Sequence, residues 1–236
     1  CCHDLDLLQH FAGAKCESVS SVGDLTYFTS VNAPEGAAKR CLDCKYLDRC
    51  PYSAKTLYIE KWKKQGRPEN CWPYNVLTMA LPLTEEAIGE AIKNGPYGRC
   101  VFACDNDVVD HQLTQMTFQN GVKATLTMTA FTADGGRIMK FYGTTGEVVL
   151  DETRDVIEVK PFGGEKRALG LSALNESGYS HGGGDYGLVR ELYEVLCGRE
   201  KTTTSLEESV ESHLIGICAE ESRKAGGKLV KIHENV

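Results

Sequence analysis

Three ionisable residues near the beginning of the chain are the first candidates for chemistry. His3 is followed by Asp4 and Asp6, and the apolar residues between them and Gly13 predict a helix. An imidazole titrates near neutral pH, so His3 can accept a hydroxyl proton while the attached carbon loses hydride. Asp6 lies three residues on, on the same helical face, where it can orient the ring or contact a substrate. A structural His at a helix start is the alternative.

Four cysteines have a spacing typical of a metal site. Cys41 and Cys44 form a C-x-x-C pair, Cys50 follows shortly, and Cys71 comes later in the same segment. Such a turn directs two thiolates toward one point, and zinc prefers four nitrogen or sulfur ligands in a tetrahedron. We interpret the set as a structural zinc site in a cysteine-rich insertion at about residues 30–75. An iron–sulfur cluster, redox thiols or plain reduced cysteines are the alternatives, because the usual second C-x-x-C is missing.

Two further groups of polar residues are candidates for contacting a ligand. Asp110 and His111 end an acidic segment and can line a pocket, although such acids also bind hard cations or simply form turns. His181 and Asp185 flank a glycine turn that formally matches G-x-G-x-x-G and opens a helix. A polar segment, not a buried strand, precedes those glycines, so we predict no dinucleotide site there. The turn can still bring backbone N–H groups close to a ligand, or be a tight turn with a solvated His.

The composition indicates a globular protein and argues against two classes of partner. Hydrophobic residues make up 42% of the 236 residues and charged ones 25%, with a net charge of −7. The negative charge argues against nucleic acid or an anionic membrane as the partner, and no apolar run approaches the roughly 20 residues that span a bilayer. Eleven cysteines without a secretory signal favour reduced thiols and a cytoplasmic location. The missing initiator Met predicts that residue 1 lies inside a larger protein.

Periodicity and turn signals predict an α+β fold in a single domain, residues 1–236. Asn120–Gly121 indicates a hairpin, and Thr84 and Ser205 indicate helix starts, the latter with Glu208 in a capping box. The predicted helices are 4–11, 85–93, 187–197 and 206–225, and the predicted strands are 16–28, 112–119, 122–130, 137–142, 147–150 and 156–160. We expect a large open, mostly antiparallel sheet with helices on one face. Its other face, with a row of threonines, is either wet or a subunit interface.

Five segments taken together resemble the C-terminal domain of the Gfo/Idh/MocA oxidoreductases. The resemblance spans nearly the whole chain and keeps the order of the segments. They are His3–Leu8, the cysteine loop Cys41–Cys44 with Cys50–Ala54, Cys104–Gln112, His181–Asp185, and Glu207–Ser209 with Glu211–His213. The resemblance implies an N-terminal Rossmann domain that binds NAD or NADP, with no cofactor-binding residues in this chain. It also implies that this domain binds substrate and forms a homo-oligomer through its sheet face.

The implied activity is hydride transfer between nicotinamide and a hydroxyl-bearing carbon of a sugar, cyclitol or related compound. His3 matches the family's catalytic His, while the catalytic Asp and Lys would lie upstream of Cys1. By the resemblance, Asp6, His181 and Asp185 would contact the substrate, with Asp110 and His111 as further pocket residues. This chain alone is expected to be inactive. The alternatives are an NAD-dependent glycosidase on the same scaffold, or a catalytically inactive oligomeric binding or scaffold subunit.

Overall fold

A computed structural model describes residues 1–69, 71–133, 135–174, 183–202 and 205–234. The chain forms two compact units. Unit 1 comprises Cys1–Ser21 and Thr114–Val236, and unit 2 comprises Val22–Leu113. The cysteine-rich segment predicted at about residues 30–75 lies within unit 2.

The chain contains six α-helices and eight strands among its described residues. The helices are α1 (Cys2–Ala12), α2 (Lys61–Lys64), α3 (Tyr74–Leu77), α4 (Glu85–Asn94), α5 (Gly184–Leu196) and α6 (Leu206–Lys224). The strands are β1 (Cys16–Asp24), β2 (His111–Phe118), β3 (Lys123–Thr129), β4 (Ile138–Tyr142), β5 (Gly146–Asp151), β6 (Val156–Pro161), β7 (Arg167–Leu169) and β8 (Val230–Lys231). No helix of the described ranges combines the length and the apolar character needed to cross a membrane.

The first sheet has the strand order β3-β2-β1-β8 and carries the core of unit 1. In the antiparallel β1–β8 pair, Val19 lies opposite Val230. Helices α1 and α6 pack against each other and enclose the core, because each turns one apolar face inward. The buried core residues are Leu5, Ala12, Cys16, Val19, Met116, Phe118, Ile215, Cys218, Ala219, Val230 and Ile232.

The second sheet has the order β4-β5-β6-β7, and all three of its strand pairs are antiparallel. Its two faces differ, as expected for period-2 alternation. One face carries ion pairs, including Lys140 to Glu147 at 2.9 Å and Lys160 to Glu158 at 2.8 Å. Phe141 of β4 contacts Phe11 of α1 edge to face, with ring centroids 4.9 Å apart. The end of α1 is thereby attached to the second sheet.

Unit 2 has its own smaller core around α4. Thr84 caps this helix as predicted, because its Oγ1 accepts the amide N–H of Ala87 at 3.2 Å. Much of the remaining chain consists of short 3₁₀ and helical turns, including a π-helical turn over Lys55–Glu60. The buried apolar residues are Cys41, Ala54, Trp62, Tyr74, Leu83, Ile88 and Ile92.

The predicted α+β class and its antiparallel pairing are confirmed, with the strands divided between two four-stranded sheets. Several helix boundaries agree with those predicted from local sequence signals. Gly13 ends α1 in the left-handed conformation with φ 66°, and Ser205 and Glu208 form the predicted capping box. The strand predicted to reach Phe28 ends at Asp24, because the amides that follow are bonded to a side chain. That side chain belongs to Asp110.

Candidate functional site

His3 and Asp6 lie in the first turns of α1, and both are exposed. Within the described residues neither side chain has a hydrogen-bond or ion-pair partner. Their spacing places them on one face of the helix, as predicted. The imidazole and the carboxylate are therefore available to a ligand that approaches unit 1 from this side.

A second carboxylate on α1 is fixed by residues far away in the sequence. Asp4 accepts a hydrogen bond from Nε of Arg137 at 2.7 Å, and the same guanidinium lies 3.5 Å from Glu152. The bond to Asp4 raises the pKa of Arg137 above its ordinary value. The contact links the beginning of α1 to the start of β4, so it fixes the position of His3. Sequence reasoning missed Arg137, because no local pattern identifies a partner so distant.

The buried side of α1 explains how the helix is held against α6. Gln9 donates from Nε2 to the backbone oxygen of Glu208 at 3.2 Å. Gly216 allows a close approach, since a Cβ at this position would lie 3.3 Å from Cδ1 of Leu5. An open depression of about 410 Å³ lies where the two helices meet. Its lining consists of Cys1, Cys2, Leu5, Ser212, His213, Gly216, Ile217 and Glu220.

His213 was part of the family resemblance but had no predicted role, and it lines this depression. Its Nδ1 donates to the backbone oxygen of Ser209 at 2.7 Å. A neutral ring held in this way keeps an unprotonated Nε2, which can accept a hydrogen bond. His3 on α1 and His213 on α6 are thus among the exposed imidazoles of unit 1.

Asp110 and His111 form a hydrogen-bonded pair in unit 2. The Asp110 carboxylate is 2% exposed, and its Oδ2 accepts the amides of Thr26 at 3.1 Å, Tyr27 at 2.7 Å and Phe28 at 3.3 Å. Its Oδ1 lies 2.7 Å from Nδ1 of His111. Burial alone would raise the pKa of Asp110, but the bonds from the Tyr27 amide, His111 and the other two amides lower it to about 2.

In this geometry Asp110 is bonded to protein donors, and its predicted contact with a substrate stays a prediction. Both carboxylate oxygens are occupied by protein donors, so Asp110 positions His111. Because the ionised carboxylate can only accept, Nδ1 of His111 is the donor, and a neutral ring presents Nε2 as an acceptor. The His111 side chain is half-exposed and remains a candidate for contacting a ligand.

The cysteine arrangement differs from the predicted zinc site. Burial raises the pKa of the Cys41 thiol, the Ala54 backbone lowers it, and the thiols of Cys100, Cys50 and Cys44 raise it further. Cys71 packs against the small core of unit 2, where burial and then the Cys71 thiol raise the pKa of Tyr74. No three His, Cys, Asp or Glu side chains of the described ranges are placed to hold one metal ion. The set Cys41, Cys44, Cys50 and Cys71 is therefore not assembled as a zinc site.

The predicted glycine turn is described only in part. His181 lies outside the described residues. Gly183 precedes α5 with φ 89°, a conformation that favours glycine, and exposed Asp185 lies in the first helical turn. A carboxylate in that position interacts favourably with the helix dipole. Helix α5 has no buried residue, and apolar side chains such as Leu188 and Leu192 are exposed.

The candidate residues are divided between the two units. His3, Asp6 and Asp185 belong to unit 1, whereas Asp110, His111 and the cysteine cluster belong to unit 2. A dinucleotide-binding βαβ unit requires parallel strands, and the strand pairs of the described sheets are antiparallel. These residues therefore do not fit a nicotinamide dinucleotide as its main binding site.

The fold is shared with solved oxidoreductases. A levoglucosan dehydrogenase in complex with NADH and levoglucosan matches with a TM-score of 0.56 at 14% identity, over 99% of this chain and 49% of that chain. An oxidoreductase from Agrobacterium radiobacter in complex with NAD⁺, L-tartaric acid and magnesium gives 0.55 at 13% identity, over 100% and 48%. No protein-family model and no curated protein matches the chain. The chain spans about half the length of these structures, and likeness at such low identity establishes a common fold.

Proposed function

We propose that this chain is the substrate-binding, C-terminal part of an NAD(P)-dependent oxidoreductase of the Gfo/Idh/MocA type. The reaction is hydride transfer between nicotinamide and a hydroxyl-bearing carbon of a sugar, cyclitol or related compound. The observation that carries the proposal is the fold, which covers the whole chain and about half of oxidoreductases crystallised with NADH or NAD⁺. One of these holds levoglucosan and the other L-tartaric acid, both of which carry hydroxyl groups. The nicotinamide cofactor, NAD or NADP, is bound by a separate Rossmann domain.

His3 is the proposed general base. In its neutral form it accepts the proton of the substrate hydroxyl, and the resulting cation is stabilised by Asp6 on the same helical face. Arg137 holds Asp4 and, with it, the first turn of α1, so the ring is presented from a fixed position. A positioned base of this kind contributes about 10²–10⁴ to the rate.

The remaining polar residues are proposed to bind substrate hydroxyls. His111 offers an acceptor nitrogen while Asp110 fixes its tautomer. Asp185 offers a carboxylate at the start of α5, and His181 is proposed beside it from the sequence alone. Hydrogen bonds to several hydroxyls fix the orientation of a sugar, which is the part of catalysis that this chain supplies.

We further propose that the protein forms a homo-oligomer through the outer face of the first sheet. Thr125 and Thr127 of β3 are exposed there, as is Leu113 of β2. Light scattering during size-exclusion chromatography tests this proposal. A Thr127→Arg variant should reduce the measured mass to that of one subunit if this face is the interface.

The experiment that tests the activity compares two His variants of α1 in the complete gene product. NADH or NADPH formation is measured over a panel of sugars and cyclitols. His3→Asn should lower kcat by about 10²–10⁴ with an unchanged melting temperature. His10→Asn is the matched control, because His10 is also exposed on α1 but lies in the last turn of the helix, away from His3. Equal activities of the two variants would refute the role of His3, and a complete protein that binds neither cofactor would refute the proposed function.

A further inference from the structure

Four aromatic rings of unit 2 form a cluster in which each ring lies next to the other three. All of the centroid distances between them lie between 5.1 and 6.2 Å, and all pairs but one meet edge to face. Such geometry stabilises aromatic pairs beyond the burial of their surface. The rings of this aromatic cluster are those of Tyr27, Phe28, Tyr52 and Phe102.

The aromatic cluster has a buried side and an exposed side. Phe102 is only 5% exposed, whereas Tyr27 is 40% exposed. Burial, and then a hydrogen bond with the Tyr27 side chain, raise the pKa of Tyr52 above its ordinary value. The neighbouring rings and this bond hold the Tyr27 ring in one orientation. Tyr27 therefore presents a fixed aromatic surface to solvent.

The backbone that carries Tyr27 is fixed as well. Oδ2 of the buried Asp110 accepts the amide of Tyr27 at 2.7 Å and also the amides of the residues on either side. Nδ2 of Asn32 donates to the backbone oxygens of Thr26 at 2.7 Å and Tyr27 at 3.0 Å. Because the segment is already ordered, a ligand that packs on the Tyr27 ring loses little affinity to further ordering.

The same carboxylate fixes a hydrogen-bonding group. Oδ1 of Asp110 lies 2.7 Å from Nδ1 of the half-exposed His111, which leaves Nε2 of the neutral ring as an acceptor. Asp110 therefore connects an exposed aromatic ring to an exposed imidazole within unit 2. Burial of a charged carboxylate is costly, and the packing of the aromatic cluster alone does not require it. The arrangement is that of a small binding surface with one apolar and one polar group.

We propose that the ring of Tyr27 and Nε2 of His111 bind one pyranose ring of a sugar. The inference rests on the proposed function for the class of ligand, and it assigns Tyr27 a role in specificity, not in proton transfer. A β-glucopyranose carries axial C–H groups on each face and hydroxyls around its edge. One apolar face packs on Tyr27 while an edge hydroxyl donates to His111. An open-chain polyol has the hydroxyls without the flat apolar face, so it binds more weakly.

Calorimetric titration of the complete gene product with methyl β-glucopyranoside, in the absence of cofactor, tests the proposal. Tyr27→Ala should raise Kd about tenfold, because one aromatic contact is lost, and Tyr27→Phe should restore binding to within about threefold. His111→Asn keeps a donor for Asp110 but lacks Nε2, and it should also raise Kd about tenfold. Tyr97→Ala is the matched control and should bind as wild type. Tyr97 is 44% exposed in unit 2 but packs beside Tyr58.

A measurement on the wild-type protein serves if Tyr27→Ala fails to fold. Saturation of the aromatic protons by NMR should transfer mainly to the axial hydrogens on one face of the glucoside, and sorbitol should receive much less. A wild-type protein that does not bind the glucoside, a Tyr27→Ala variant with unchanged Kd, or equal transfer to both faces would overturn the proposal. The proposed activity is tested separately, by cofactor binding and NADH formation, so the two failures are distinguishable.

Discussion

Replacing Asp110 by Asn should destabilise unit 2 in a pH-dependent manner. In the folded protein the pKa of Asp110 is about 2, against an ordinary value of 3.8. Because the pKa of Asp110 is lower in the folded state than in the unfolded state, ionisation of this carboxyl stabilises the fold. The contribution is complete at pH values well above the unfolded-state pKa, and it is lost as the pH falls toward 2. The difference of nearly two pKa units corresponds to at most about 2.5 kcal/mol. We expect about 1–2 kcal/mol, because water reaches the half-exposed His111 beside the carboxylate and screens the charge.

Thermal unfolding of Asp110→Asn at several pH values measures this effect. A loss of 1–2 kcal/mol corresponds to about 2–8 °C in Tm for a chain of this size. The difference from wild type should be full at pH 7 and should narrow from about pH 5 toward pH 2, first because the carboxyl of the unfolded chain protonates around its ordinary pKa of 3.8 and then because that of the folded protein protonates near 2. Asp107→Asn is the control, since Asp107 is exposed in the same segment. A Tm difference that is absent, or that stays constant with pH, would refute the reasoning.

Two further predictions concern helix packing and capping. Gly216→Val should lower the free energy of unfolding by about 1–3 kcal/mol, because a Cβ at this position lies 3.3 Å from Leu5. Gly89→Ala in α4 should raise it by about 0.5–1 kcal/mol, because a Cβ there has no atom within 4 Å. Chemical denaturation of both variants provides the comparison, and equal shifts would contradict it. Ser205→Ala removes the hydroxyl that accepts a hydrogen bond from the amide of Glu208, and it should lower the free energy of unfolding by about 1 kcal/mol in the same assay. An unchanged free energy would show that packing alone holds the start of α6.

The elements that sequence predicted well are those determined by neighbouring residues. The end of α1 at Gly13, the Thr84 cap and the capping box of α6 each depend on a few adjacent side chains. Their energies are local, so the residue types alone identify them. The α+β class could be predicted because segments with these helix signals stand beside segments whose apolar residues alternate with the period of a strand.

The features that sequence missed depend on partners far apart in the chain. Asp4 meets Arg137, and Asp110 captures the amide of Tyr27, although neither pair has a local signature. The cysteine spacing predicted a zinc site that the described residues do not form, because spacing alone does not determine whether four thiols converge on one point. His3 and Asp6 lie in the first turns of α1, and their roles stay predictions.

The pairing of β1 with β8 has a consequence for the order of folding. Val19 and Val230 come from nearly opposite ends of the described chain, and Ile232 beyond them is fully buried in the same core. Unit 1 therefore cannot close its core during translation until Val230 and Ile232 have left the ribosome. Such a large sequence separation carries a high loop-closure cost and slows folding. Deleting residues 229–234 should leave a chain that exposes its core and depends on chaperones.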